Sequence, residues 1–397
     1  MKLITDEISR YLTNSSGIRK MFEAGLELKK RYGADKVYDF SLGNPDLPPP
    51  SEVGDALRRI ADKAASPLAL GYMPNAGYPA LREKLAVKLS REQKCELGAG
   101  NVVVTCGAAG AINILFRAVL ESGDEVVTPS PYFVEYDFYA ANFGGKLVAV
   151  PSRDFTFELD VPALAAAINA KTRAVILNSP HNPTGRIYRR EELAELGEAV
   201  AAAERRFGRP IYVVADEPYR FLNFDGLEIP SLYEFFEHSV VIGSFSKSLS
   251  LAGERIGYIA VNPAMENGAE LINALILCNR ILGFVNAPAV AQQILLECLD
   301  AEVELGVYRA RRDAAAEVLG GAGIEFCLPS GAFYFFARSP VADERELIEA
   351  LLAEQILVVP GRAFGRAGYF RMTFCVDEKV IRAAGPGFRR AVAKLKK

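Results

Sequence analysis

A length of 397 residues favours two or three packed units, and 50% apolar against 24% charged residues is the balance of a chain that buries a large interior, which excludes disorder. Lys+Arg 46 against Asp+Glu 49 leaves a net charge of −3, too near neutral for nucleic acid or a membrane surface as the main partner. Two histidines, His181 and His238, are too few for a multi-histidine metal site, and a histidine-based triad would have to use one of them, which removes many hydrolases. The six cysteines, Cys95, Cys106, Cys278, Cys298, Cys327 and Cys375, form no CxxC and no zinc spacing and read as buried thiols of a reducing compartment. No stretch approaches the uninterrupted apolar length that crosses a bilayer, so the expectation is a soluble, cytoplasmic chain.

In chain order, the first strong punctuation is Gly43-Asn44-Pro45-Asp46 followed by Pro48, Pro49 and Pro50, a loop. Ser51 then reads as the N-cap of a helix over EVGDALRRI. Pro79 stands at an N1-like position before a helix whose Leu81, Leu85 and Leu89 recur every four residues. From Asn101 short β-branched runs alternate with helical stretches: VVVT, EVVT, KLVAV, AVILN, IYVVAD, VVIGS and RIGYIAV. Near-continuous apolar strands alternating with helices predict an α/β fold, a mostly parallel doubly wound sheet covered on both faces, in a large domain over residues 45–286. Beyond Pro288 come long helices, then the strands AFYFFA, ILVVP and YFRMTF and a final basic helix. These form a smaller α+β domain, residues 287–397, and the N-terminal segment 1–44 is expected to join it, for want of another place to bury its apolar side chains.

Four loops follow predicted strands, where ligands of open α/β sheets collect. Thr105-Cys106-Gly107-Ala108-Ala109-Gly110 offers bare N–H groups at a helix start, suited to a phosphate; close packing is the alternative. Asn178-Ser179-Pro180-His181-Asn182-Pro183-Thr184-Gly185 holds an Asn between prolines, aimed at a ligand or closing an Asx-turn. In Ala215-Asp216-Glu217-Pro218-Tyr219 an acid ends a buried strand and requires a cation or donors, unless it caps a helix. Finally Lys247 stands among Ser244, Ser246, Ser248 and Ser250 at a strand end, where desolvation lowers an amine's pKa and makes it a nucleophile toward carbonyls.

The segment SFSKSLSLAGERIGY resembles the attachment-site pattern of the class I/II aminotransferases, fold-type-I enzymes dependent on pyridoxal phosphate, with aspartate aminotransferase as the type member. The likeness continues in order through SLGNPD, GYMPNAGYPALR, TCGAAGA, PSPYFVEY, NSPHNPTG, ADEPY and YFRMTF. By that resemblance the cofactor is pyridoxal 5'-phosphate, and Lys247 forms its Schiff base and shuttles the proton. Asp216 pairs with the pyridine nitrogen, Tyr219 and Asn182 bond the phenolic oxygen, and Tyr132 stacks on the ring. Gly107, Ala108 and Ala109 amides with Ser244, Ser246 and Arg255 hold the phosphate. Arg371 takes the substrate α-carboxylate, Gly43 lines the substrate mouth, and Tyr72 reaches the phosphate of a neighbouring subunit, so the active unit is a homodimer. No metal is implied. The substrates are an amino acid and a 2-oxo acid.

Three alternatives are weaker. Ser244-Phe245-Ser246-Lys247 also matches SxxK of acyl hydrolases, but SDN and KTG are absent, Lys171-Thr172-Arg173 lacking the glycine. A dinucleotide site fails because Gly98-Ala99-Gly100 precedes its strand. A non-catalytic binding protein has no use for Lys247, Asp216 and Arg255 together. Within the family a β-lyase shares the same ring chemistry, and the site residues do not separate it from a transaminase. Arg280, in CNRILGFVNAP, lies near where one subgroup carries an arginine for a distal carboxylate; a helix-surface charge is the equal alternative.

Overall fold

The computed structural model describes residues 3–13 and 17–395. A short strand β1 (Tyr38–Asp39) precedes seven strands that form one sheet. These are β2 (Val102–Thr105), β3 (Glu125–Ser130), β4 (Lys146–Pro151), β5 (Thr172–Asn178), β6 (Tyr212–Asp216), β7 (Ser239–Ser244) and β8 (Gly257–Val261). Their order is β2-β8-β7-β6-β5-β3-β4, parallel except for β8, which runs antiparallel to both neighbours. All seven predicted runs are strands of this sheet.

The apolar strands are continuous because both faces are covered, and alternate residues serve opposite cores. Val102, Val104, Val175, Leu177, Val213, Ala215 and Val241 pack beneath Leu81, Leu85 and Leu89, Leu193 and Leu196. Val103, Ala174, Ile176, Val214, Val240 and Ile242 face Ile112, Leu115 and Phe116 and the helix Gly268–Ile281. A one-residue slip of any central strand would exchange these sets. Ser51 opens the helix Ser51–Lys63 one residue later in role than expected, with Pro50 in the N-cap position.

The remaining strands are β9 (Tyr334–Arg338), β10 (Ile356–Leu357), β11 (Val359–Pro360) and β12 (Tyr369–Thr373). The run ILVVP is therefore two strands: β10 pairs in parallel with β1, and β11 pairs with β12, which pairs with β9. A core of Phe40, Tyr308, Phe333, Phe335, Phe370, Phe374 and Phe388 lies here under the helices Leu305–Gly321 and Glu378–Leu395. The N-terminal chain is stitched to this part by β1 and by Thr373 N–H donating to Phe40 O at 3.0 Å. Met21 of the helix Gly17–Tyr32 packs here too, whereas Tyr11 of Asp6–Thr13 meets Phe138 edge-on at 4.8 Å, beside the large sheet. The helix Ala289–Cys298 shares its core with Val53, Ala56 and the large sheet. All six cysteines are free thiols; Cys278, Cys298 and Cys375 are buried, and Cys95, Cys106 and Cys327 are only partly so. Among the described residues no helix is long and apolar enough to cross a membrane.

Three glycines let the sheet approach the first turn of Gly107–Val119. A Cβ at Gly257 would lie 2.6 Å from Gly243 O and 2.9 Å from Gly107 Cα, backbone on both sides that cannot swing away. Gly257→Ala should therefore cost about 1–3 kcal/mol in urea unfolding, while Gly253→Ala, where nothing lies within 4 Å, should change little.

Candidate active site

Strand register brings the chemistry together. In the sheet Asn178 is the direct neighbour of Asp216, both at the carboxyl ends of their strands, and Ser244 at the carboxyl end of β7 is the neighbour of Gly257, which starts the antiparallel β8. Around them lies a cavity of about 330 Å³ lined by Ala108, Ala109, Asn178, Asn182, Asp216, Tyr219, Ser244, Ser246, Lys247 and Arg255 from the large sheet's loops. Gly43 joins from the N-terminal loop, and Tyr334 and Arg371 from the small sheet.

Asp216 is 5% exposed. Its Oδ2 accepts from Tyr136 Oη at 2.5 Å and from Asn178 Nδ2 at 3.3 Å, and Asn178 Nδ2 also bonds its backbone oxygen at 2.7 Å. The other oxygen, Oδ1, is buried without any partner. Burial raises the carboxyl pKa to about 6, helped by the neighbouring Glu217 and opposed by the Tyr136 and Asn178 bonds. A half-satisfied buried carboxylate is an acceptor prepared for a further donor.

Lys247 Nζ donates to Gly43 O at 2.5 Å. Burial lowers its pKa to about 8, with Arg371 and Arg255 pushing the same way and Cys375 opposing. It does not bond Ser244, whose Oγ accepts from the Ser246 N–H at 3.1 Å and donates to Ser246 Oγ at 2.8 Å, so the SxxK arrangement of a lysine activating that serine is not formed. Arg255 lies against Gly107, where a Cβ would be 2.9 Å from Nη2, and Gly107 adopts φ +72, so only glycine suits this helix start. The cluster of Arg255, two hydroxyls and helix N–H groups has the donors that a dianion requires.

Arg371, 2% exposed, donates to Asn182 Oδ1 at 3.1 Å and to Ser41 O at 2.7 Å, and its Nε has no partner. Its guanidinium carbon stands 4.4 Å from the Tyr334 ring centroid and 4.6 Å from that of Phe364. Carbonyl oxygens and ring faces leave its charge uncompensated, and a carboxylate would complete it.

Other expectations fare differently. Tyr132 does not line the cavity: its hydroxyl bonds Asp137 at 2.7 Å and its N–H bonds Phe364 O, which turn the ring toward Gly365. The adjacent Phe133 lines it instead, with Tyr139. Tyr72 is 95% exposed and away from the cavity of its own chain, and Arg280 is exposed near the end of its helix and does not reach the cavity. Both histidines lie outside it: His181 is buried against Thr184, with its pKa lowered to about 3 by burial, and His238 bonds Glu204 at 2.8 Å. Sequence reasoning missed roles for Phe133, Tyr136, Tyr139, Asn178 and Tyr334; Asn178, ending the strand beside Asp216, was the legible one. A larger cleft of about 640 Å³ lies behind the Lys247 turn, where Lys94 pairs with Glu228 at 2.7 Å and Arg220 with Glu217 at 2.9 Å.

An α/β sheet carrying a desolvated lysine, a half-bonded acid and a cluster of anion-binding donors at its strand ends has the features of a group-transfer enzyme. The chain belongs to the aminotransferase class I and II family, whose model matches residues 35–385, and it is an aminotransferase. It is 35% identical to the aspartate/prephenate aminotransferase of Thermus thermophilus over 93% of this chain and 94% of that one. It is 33% identical to a probable aspartate/prephenate aminotransferase of Aquifex aeolicus, over 86% and 88%. Among solved structures, an amino transferase from Eubacterium rectale superposes with a TM-score of 0.95 at 35% identity over 100% of both chains. The Thermus thermophilus aspartate aminotransferase with maleate gives 0.87 at 30% identity, over 98% of this chain and 100% of that one.

The depressed Lys247 pKa has a direct readout. In protein stripped of small molecules, the rate of its capture by an aldehyde and borohydride should rise with pH and level off above about 8. Ordinary surface lysines should continue to gain up to about 10.4.

Proposed function

We propose that this aminotransferase exchanges the amino group of an L-amino acid with a 2-oxo acid and uses pyridoxal 5'-phosphate to do so. The observation that carries the reading is Asp216 Oδ1, a buried carboxylate oxygen without a donor in the same cavity as Lys247. That oxygen fits a protonated ring nitrogen. Lys247 fits an aldehyde, and Arg255, Ser244, Ser246 and the N–H groups of Gly107, Ala108 and Ala109 fit a phosphate. When bound, pyridoxal phosphate supplies an aldehyde for amine exchange and a ring that accepts the electron pair left at the substrate Cα.

The chain's own residues then divide the work. Asp216 holds the ring-nitrogen proton in place by its charge, and Asn178 and Tyr136 keep that carboxylate oriented. Tyr219 and Asn182 donate to the phenolic oxygen. Phe133 supplies the ring face first expected of Tyr132. Arg371 grips the α-carboxylate, and Gly43 leaves room at the mouth. Lys247 Nζ, its pKa lowered by burial, would serve as the base that takes and returns a proton at the substrate Cα.

The same reading gives a homodimer in which the exposed Tyr72 serves the second copy's phosphate, and a cytoplasmic enzyme. It also gives two domains, 45–286 and 1–44 with 287–397. The packing of Ala289–Cys298 on Ser51–Lys63 supports counting that helix with the first domain.

Pyridoxal phosphate added to the stripped protein should give a yellow product that borohydride fixes to the peptide bearing Lys247. Lys247→Ala should still bind the cofactor but lose exchange between amino and 2-oxo acids by roughly 10²–10⁴-fold or more. Asp216→Ala should slow Cα proton loss, measured by exchange of substrate deuterium. Arg371→Lys should raise KM about tenfold or more with a smaller change in kcat, since an ammonium cannot grip a carboxylate in a bidentate fork. Ammonia and pyruvate released from serine without amino exchange would overturn the reading in favour of elimination.

A further inference from the structure

Tyr334 has no part in the assignments above, yet it touches three of the groups in them. It is buried at the start of β9 and lines the cavity. Its hydroxyl stands 3.0 Å from Tyr219 Oη, and its ring face carries the Arg371 guanidinium. Its edge lies so near the N-terminal loop that a Cβ at Gly43 would be 2.7 Å from ring carbon Cζ. The ring is held from several sides, edge-on to Tyr219 at 5.7 Å and against Phe333 at 4.8 Å, with its backbone registered on Thr373 of β12. It has no room to turn its hydroxyl elsewhere.

Two hydroxyls in one hydrogen bond hold two protons and use one between them. The other must point onward. The cation over the Tyr334 ring draws density from it, so the Tyr334 O–H is the more acidic and the better donor. In agreement, Arg371 opposes the burial that lifts the Tyr334 pKa to about 12, while the Tyr219 pKa rises well above its usual value from burial and from Tyr334, although Arg371 opposes that rise too. Donation by Tyr334 leaves the Tyr219 proton free to face the cavity.

We infer that Tyr334 is a positioning residue that donates to Tyr219 Oη, turning the Tyr219 proton into the cavity and strengthening it as a donor to the acceptor bound there. The inference rests on the reading that this acceptor is the phenolic oxygen of pyridoxal phosphate. Hydrogen bonds in series polarise one another, so the first O–H strengthens the second. A stronger donor on the phenolic oxygen removes negative charge from it and so lowers the proton affinity of the neighbouring nitrogen that links Lys247 to the cofactor.

The test is a pH titration of the absorbance of the cofactor-loaded enzyme, in the absence of substrate, for the native protein, Tyr334→Phe, Tyr219→Phe and the double variant. Tyr334→Phe keeps the ring beneath Arg371 and should raise the proton affinity of the linking nitrogen about threefold. Tyr219→Phe should raise it further, and adding Tyr334→Phe to Tyr219→Phe should change nothing more. An equal shift in both backgrounds, or none from Tyr334→Phe while Tyr219→Phe shifts, overturns the inference and leaves the cofactor reading standing. No shift from Tyr219→Phe, or no absorbing complex in the native protein, overturns the role of Tyr219 or of the cofactor and the inference with it. Should Tyr334→Phe fail to fold, 3-fluorotyrosine at position 334, a more acidic donor, must lower the proton affinity; a rise overturns the inference.

Discussion

The structure turns on one buried carboxylate left half bonded. Asp216 ends a central strand, where neither solvent nor a basic side chain reaches it, and its Oδ2 alone is served by Tyr136 and Asn178. Leaving the second oxygen of a buried carboxylate bare costs stability. Such a cost is sustained where a ligand removes it, and the surroundings are arranged to that end. Asn178 is fixed by strand register and Tyr136 by a helix packed on the sheet, and Asp216 lines the cavity.

Around that acid the site is assembled from three parts of the chain far apart in sequence. The sheet's loops contribute Lys247 and the anion cradle. The N-terminal loop contributes Gly43, whose carbonyl receives the Lys247 amine, and Ser41, whose carbonyl receives Arg371. The small sheet contributes Arg371 and Tyr334. Each cation is thus parked on a backbone carbonyl, a neutral acceptor that a carboxylate or an aldehyde can displace. Burial lowers the Lys247 pKa to about 8, so that more of the amine is free base near neutrality than for an exposed lysine, and leaves Arg371 without a counter-charge.

Much of this was legible because it is periodic or local. The seven apolar runs are strands since continuous Val and Ile segments between amphipathic helices have one stable arrangement, with both faces covered. Lys247, Asp216 and Asn182 stood out because each lies at or just beyond a strand end in a stretch whose composition is odd for a mere connection, and Arg255 and Arg371 because the ordered family motifs run through them. Tyr132 misled because adjacent aromatic residues offer no local signal of which ring faces the ligand; the Tyr132 hydroxyl finds Asp137 and leaves the cavity to Phe133. ILVVP read as one strand because two partners on different sheets cannot be seen in five apolar residues.

By itself, then, the sequence determined the sheet, the order of its helices and the loops that carry the reactive side chains, because hydrophobic period and turn chemistry act over a few residues. Only the tertiary structure decided which oxygen of Asp216 stays free, that Tyr136 and Asn178 hold the other, and that Tyr334 joins Arg371 to Tyr219. Those are contacts across as many as 115 residues, from Tyr219 to Tyr334, and they depend on how strands are registered and faces packed, a matter that spacing along the chain does not encode.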